Sequence, residues 1–510
     1  MRDHKRPPKT PIAQNAHPRA HDADTLNKSW ITRRKFVASG VASLVAGAAA
    51  GAGLTGTAQA AQLNAKDLQL SGTPGRRVLL KGGVVLTMDS ALGDFEKADV
   101  LIEGSKIAGV GPNIKASATV IDASNMIVMP GFVDTHRHIW QGQLRNILPN
   151  GRLNPDYNRD ITGSARSTYR PEDVYVGDLL SAWGAINAGI TTLLDWSHVS
   201  NSPEHSDAAI QGLRESGIRG VYGYGAGAAG PRNKYPGDMQ RLRKQYFSSE
   251  DQLLTLALAT AFDPAHWAAA REVGAPITVH VNGTGQLLPL AAARHLGPDV
   301  TYIHCCNLNA EEWKLIADTG GGVSIAAPIE MEMGHGVPPY QQTMDHGIPL
   351  SFSNDVETEI PADFFTQMRT AFTLQRMLVF SRERAGDKNV PQLLTVKKVV
   401  EIATLGGAKV NHLDKKVGSL TPGKQADILL LATNLINVLP LNHAYGAIVL
   451  GMDTSNVETV MIGGKVKKWK GKLVGLNMGR LQKMVEESRI YVLSRVGWPN
   501  TVFGGYLPGH

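Results

Sequence analysis

Cysteine is almost missing: the 510 residues contain two, Cys305 and Cys306, side by side. Adjacent thiols build neither a disulfide framework nor a spaced metal knuckle, so stability has to come from a buried core. Net charge is scarce as well. Lysine and arginine number 52 against 45 aspartates and glutamates, but residues 1–60 hold nine basic and three acidic side chains, leaving 43 and 42 for the rest. A near-neutral body argues against a general polyanion surface, so nucleic acid is not expected as a partner. Beyond residue 60 no uninterrupted apolar run reaches about 18 residues, the length of a membrane span. No GxGxxG follows Val133, which weakens a dinucleotide-binding reading. What is present, 43% hydrophobic and 19% charged residues, suits a globular chain with a large core.

The basic excess marks a leader. Thr32-Arg33-Arg34-Lys35-Phe36 precedes a weakly apolar Ala/Gly/Val run from Val37 to Gly53, and Ala58-Gln59-Ala60 offers small residues for cleavage. Residues 1–60 thus resemble a twin-arginine signal peptide, which implies the twin-arginine export machinery as a partner and a periplasmic or secreted destination. The competing reading is a membrane helix, but the run is dominated by glycine and alanine and ends in a cleavage pattern, so no membrane anchor is expected after cleavage. Residues 61–75 read as a linker.

From Arg77 to Val120 short alternating runs broken by glycines indicate small antiparallel strands, and the same texture returns in ADILLLATN and VETVMIGGKVKKWKGKLVG. We expect 76–128 and 416–475 to complete one small β-sandwich, with 476–510 as a C-terminal extension. Over 129–415 the texture changes to eight buried apolar runs separated by helical stretches: IVMPGFVDTH, GITTLLDWSH, IRGVYGYG, LTLALATAF, PITVHV, VTYIHC, GGVSIAA and IPLSFSND. Eight alternating units predict an α/β fold of the (β/α)8 barrel type.

Catalytic groups in such a barrel sit at the C-terminal ends of strands. His136 and His138 close the first run, and their i, i+2 spacing on an extended chain puts both rings on one face. His280 closes the fifth run, His304 the sixth and Asp355 the eighth. Any one of 16 histidines is more simply a core or surface side chain. Three imidazoles and a carboxylate at strand ends, however, can form a coordination shell that keeps a position open for water.

PGFVDTHRH, VTYIHCCNL, IPLSFSND and GSLTPGKQADILLL together resemble the amidohydrolase superfamily, closest to its branch of triazine hydrolases and cytosine- or guanine-type deaminases. The resemblance implies a distorted (β/α)8 barrel with a sandwich made from both chain ends. It implies His136, His138, His280 and Asp355 as metal ligands, His304 bonding the reacting water or substrate oxygen, and Asp355 moving the proton. One divalent ion is expected, because LTLALATAF and IRGVYGYG contain neither the Lys nor the Glu that bridges two metals in binuclear members. Zn2+ and Fe2+ both suit the ligand set. Family likeness also favours a homo-oligomer. One position departs from the pattern: deaminases of this branch place a Glu three residues after the fifth-strand histidine, where this chain has Gly283.

A replacement acid is sought in the seventh segment, where Glu330, Glu332 and His335 are candidate substrate contacts. Trp140 and Arg145, after the HxH pair, and His198, at the second strand end, are further candidates, with packing the simpler role for Trp140 and Trp196. Cys305 and Cys306 are left out of the site as buried thiols. Lys465, Lys467, Lys468, Lys470 and Lys472 are expected on an exposed sheet edge. The function expected is metal-dependent hydrolysis of a carbon–nitrogen bond in a small molecule, an amide, cyclic amide or amidine. The alternatives are deamination of an amino-heterocycle and a barrel kept as a non-catalytic binding module.

Overall fold

The computed structural model describes residues 71–249 and 251–502. The expected signal peptide and most of the linker fall outside the described residues. All eight apolar runs form strands of one parallel sheet. Phe132–His138, Ile190–Ser200, Arg219–Ala226, Leu254–Thr260, Ile277–Val281, Val300–His304 and Gly322–Ile325 pair in chain order. The eighth strand is broken in two. Leu350–Phe352 pairs with the seventh strand and Asp355–Val356 with the first, and this closes the ring. Strands buried on both faces read as unbroken apolar runs, which is why the sequence pattern located them.

The helices between them carry ordinary start and stop signals. Before Ala310–Thr319, the Asn309 side chain accepts a hydrogen bond from the Glu312 amide at 3.0 Å, and Gly320 ends the helix at φ +81°. The last helix, Met478–Val496, packs on Pro171–Asn187, where Ser488 Oγ donates to Asp173 at 2.8 Å and the Arg170 guanidinium lies 3.6 Å from the Tyr491 ring centre.

Strands from both ends of the chain form the second sheet, nine-stranded and mixed. Its halves meet where Met126–Pro130 pairs antiparallel with Ile428–Ala432. Alternation sorts these two strands between two cores. Ile127, Met129, Leu429 and Leu431 join the large cluster that includes the barrel, while Val128, Ile428 and Leu430 join Val78, Leu80 and Val100 in a smaller one. The β domain is therefore one continuous sheet around its own core.

The run IVMPGFVDTH is two strands, not one. The chain leaves the mixed sheet at Pro130 and enters the barrel at Phe132. Gly131 permits this, because a Cβ there would sit 2.0 Å from Thr191 Oγ1.

The lysine-rich hairpin corrects an expectation. Lys467 and Lys468 are buried, not exposed: the Lys467 ammonium lies 4.5 Å from the Trp183 ring centre, and Lys468 donates to the Asn187 carbonyl at 2.7 Å. Their strand, Lys465–Trp469, lies between two others, and the edge is the two-residue Lys472–Leu473. Burial pushes both ammonium groups down to about 8.

Candidate metal centre

Four side chains from three separate strand ends converge at one rim of the barrel. His136 Nε2 lies 3.0 Å from Asp355 Oδ1, His138 Nε2 lies 3.4 Å from the same oxygen, and His280 Nε2 lies 3.2 Å from His136 Nε2. One ligating atom of each lies within 4.8 Å of all the others. Burial holds the three imidazoles well below their ordinary pKa, so they are neutral and each offers a lone pair. His138 donates from Nδ1 to the Trp196 carbonyl at 2.9 Å, which leaves Nε2 as the bare nitrogen facing the cluster.

This donor set fits a divalent cation. Two neutral imidazoles 3.2 Å apart share at most one proton between them, yet His138 Nε2 and Asp355 Oδ1 aim at the same point as further acceptors. Converging lone pairs repel unless a cation takes them up. Three nitrogens and one carboxylate oxygen are the donors a single zinc or ferrous ion favours.

The Asp355 carboxylate is shared by direction. Oδ1 faces His136 and His138, and Oδ2 lies 3.7 Å from His304 Nε2. On the other side of that ring, His304 Nδ1 is 3.1 Å from Glu330 Oε1, which also accepts from the Ala326 amide at 2.9 Å. Burial pushes the Glu330 carboxyl up to about 8. His304, Cys305 and Asp355 hold φ of +71°, +57° and +58°. Such left-handed backbone in residues with side chains costs about 1–3 kcal/mol each and concentrates at functional sites.

Above the cluster opens a cavity of about 520 Å³, walled by Trp196, Tyr157 and Tyr235 and edged by polar groups. His198 and His335 line it as expected; the His198 ring lies 4.3 Å from His138 and the His335 ring 4.3 Å from His304. Three other expectations are corrected. Trp140 lies under the site, fully buried, its ring 4.8 Å from Tyr169 and its indole N–H 3.4 Å from His198 Nδ1. Arg145 is turned away by the 3-10 turn Ile139–Leu144 and donates to Glu357 at 2.5 Å. Glu332 ends the short helix Ala327–Glu332 on the exposed surface. Glu330, on the opposite side of that helix, reaches the site only through His304. Asp355 is the one carboxylate among the described residues lining the cavity. Cys305 and Cys306 are free thiols outside the lining, and burial pushes both pKa values up.

Sequence reasoning passed over Tyr157, Tyr235 and Arg166. Tyr157 and Arg166 had a legible signal, since Asn154, Tyr157, Asn158, Thr162 and Arg166 recur at helical spacing and share the face lining the cavity. Tyr235 lies on a connecting segment with no such periodicity.

The chain is similar to 5'-deoxyadenosine deaminase of Methanosarcina mazei, 26% identical over 438 residues that cover 81% of this chain and 96% of the relative. It is 25% identical to 5-methylthioadenosine/S-adenosylhomocysteine deaminase of Symbiobacterium thermophilum, with 76% and 93% covered. In fold it is similar to a zinc-bound adenosine deaminase from Xanthomonas campestris, at TM-score 0.71, 20% identity and 83% and 100% coverage. It is also similar to atrazine chlorohydrolase from Arthrobacter aurescens, at TM-score 0.70, 20% identity and 81% and 100% coverage. The model of the amidohydrolase family matches residues 127–467, from the strand before Gly131 to the last strands of the mixed sheet. A match of that span takes in every strand of the barrel, the four converging side chains and His304, and the chain belongs to the amidohydrolase family.

Proposed function

We propose that this protein is a hydrolase that uses one divalent metal ion to cleave a carbon–nitrogen bond in a small molecule. The convergence of His136, His138, His280 and Asp355 at the floor of the cavity carries the reading. These four residues would hold the ion. A divalent cation, when bound, supplies Lewis acidity and lowers the pKa of a water toward neutrality.

The chain's own groups supply the rest. Asp355 Oδ2, turned from the ligand side, takes a proton from the attacking water and returns it to the departing nitrogen. His304 holds the electrophilic oxygen from Nε2, its ring orientation set by Glu330 at Nδ1. Trp196 and Tyr157 exclude water and stack against a flat substrate. With Gly283 where the branch's deaminases have a Glu, Asp355 is the only carboxylate among the described residues lining the cavity, and this favours an amide, cyclic amide or amidine.

Deamination of an amino-heterocycle is the second reading, favoured by the names of the relatives. There the His304–Glu330 pair would stand in for the missing acid. Metal analysis of the purified protein with a screen of amides, lactams and amino-heterocycles separates them. Ammonia from the heterocycles alone selects deamination, and a metal-free, inert protein overturns both.

The leader supports export by the twin-arginine machinery to the periplasm, and family likeness supports a homo-oligomer. Cell fractionation with an Arg33→Lys/Arg34→Lys variant tests the first, which fails if the variant is exported unchanged. Light scattering tests the second, which a monomeric mass overturns.

A further inference from the structure

Buried arginines in this fold are paired. Arg137 meets Glu357 at 2.5 Å and Arg219 meets Asp427 at 2.7 Å. Arg166 is different. It is half-buried, its Nε has no hydrogen-bond partner, and among the described residues no carboxylate lies within ion-pair distance of its guanidinium; Arg369 shares these features but donates to the Met452 carbonyl at 2.8 Å. It extends a helical stretch, Leu153–Ala165, whose polar face of Asn154, Tyr157, Asn158 and Thr162 lines the cavity, and Arg166 lines it too.

A half-buried guanidinium without a counter-charge is short of partners, and its planar fork is suited to a bidentate anion. Desolvation lowers the Arg166 pKa, consistent with a cation short of partners. The neighbouring Tyr157 hydroxyl, which accepts from Gln141 at 2.6 Å, offers it no negative charge. A molecule in the cavity is placed to supply the counter-charge. Among the described residues lining the cavity, Arg166 is the only lysine or arginine, and its fork matches the two oxygens of a carboxylate.

We propose that Arg166 is a specificity-determining residue and that the substrate carries a carboxylate, held by Arg166 while its carbon–nitrogen bond reaches the His136–Asp355 cluster. This deepens the hydrolase reading and rests on it for the reaction, but the carboxylate site stands on geometry alone.

The test is calorimetric titration of the full-length, zinc-supplemented protein with 4-phenylbutanoate, 4-phenylbutanamide and 3-phenylpropylphosphonate. Wild type is compared with Arg166→Gln and Arg166→Lys, and melting temperatures check folding. Wild type should bind the carboxylate about 10- to 100-fold more tightly than the amide, the range of a charge-assisted contact. Arg166→Gln should erase that preference without changing the amide, and Arg166→Lys should retain part of it. A preference that survives Arg166→Gln would mean the carboxylate sits on the metal centre and would overturn the assignment. So would the absence of any preference, or a phosphonate bound more tightly than the carboxylate. None of these readouts needs turnover, so carboxylate selectivity in a protein inert toward every amide and heterocycle would sink the hydrolase reading and leave this one standing.

Discussion

Two clusters of buried polar side chains share one end of the first barrel strand, and they are opposites. Around Arg137, charges are matched: its guanidinium meets Glu357 at 2.5 Å, Arg145 meets the other oxygen of the same carboxylate, and Asp134 accepts from Asn354 at 2.8 Å. Around His136, one residue earlier, lone pairs face one another, and the ring's Nδ1 has no partner. The first cluster is matched in charge within the chain, although Arg137 Nε and Nη1 make no hydrogen bond. The second is short of a cation. Burial alone therefore does not mark a functional site, and what separates the two is whether the protein supplies the opposite charge itself.

Deleting a donor from the unsatisfied cluster should have the largest effect. His136→Ala should lose bound metal and depress turnover by at least about 10³-fold, the scale on which single catalytic groups act. Metal analysis and steady-state rates check it, and full metal occupancy in the variant would erase the distinction between the clusters.

Breaking the charge-matched cluster should instead act on folding. Glu357→Gln leaves Arg137 buried against a neutral partner and should cost about 3–5 kcal/mol in denaturant unfolding. Burial pushes the Glu357 carboxyl up, but Arg137 and Arg145 outweigh it and hold it at about 2. Because that value lies below the usual carboxylate range of about 4.5, its stabilisation is complete above that pH and is lost as pH falls toward about 2. The variant should lack this part of the acid-dependent slope.

Glu330→Gln probes the boundary between the clusters. It keeps the size of the side chain behind His304 but removes its ionisable carboxyl, and activity should fall about 10- to 100-fold with little change in metal content. A proportionate loss of metal would make Glu330 part of the ligand scaffold. The smallest effect is expected at Glu332, where Glu332→Gln should alter neither rate nor stability beyond about 0.5 kcal/mol.

The five converging residues were legible because each closes an apolar run that can only be a buried strand, and strand ends in a closed barrel share a mouth. The side chains that follow a strand end were harder. Trp140 and Arg145 come soon after His138, yet the intervening 3-10 turn sends one beneath the site and the other to Glu357. Glu330 and Glu332 are two apart in sequence and fall on opposite sides of one helical turn, one buried and one exposed. Spacing in an extended reading would have put them on the same face. The break in the eighth strand, which turns Asp355 toward the histidines at φ +58°, has no signature in the sequence pattern.

The buried Arg219–Asp427 pair spans 208 positions and ties the start of the third barrel strand to the segment entering the mixed sheet; Asp427 also accepts from the Gly463 amide at 2.7 Å. With the one-residue passage through Gly131, it makes the sheet a foundation rather than an attachment. Trimming the chain at either end to isolate a minimal barrel would sever one of these fastenings, and the first casualty would be the alignment of the strand carrying His136 and His138.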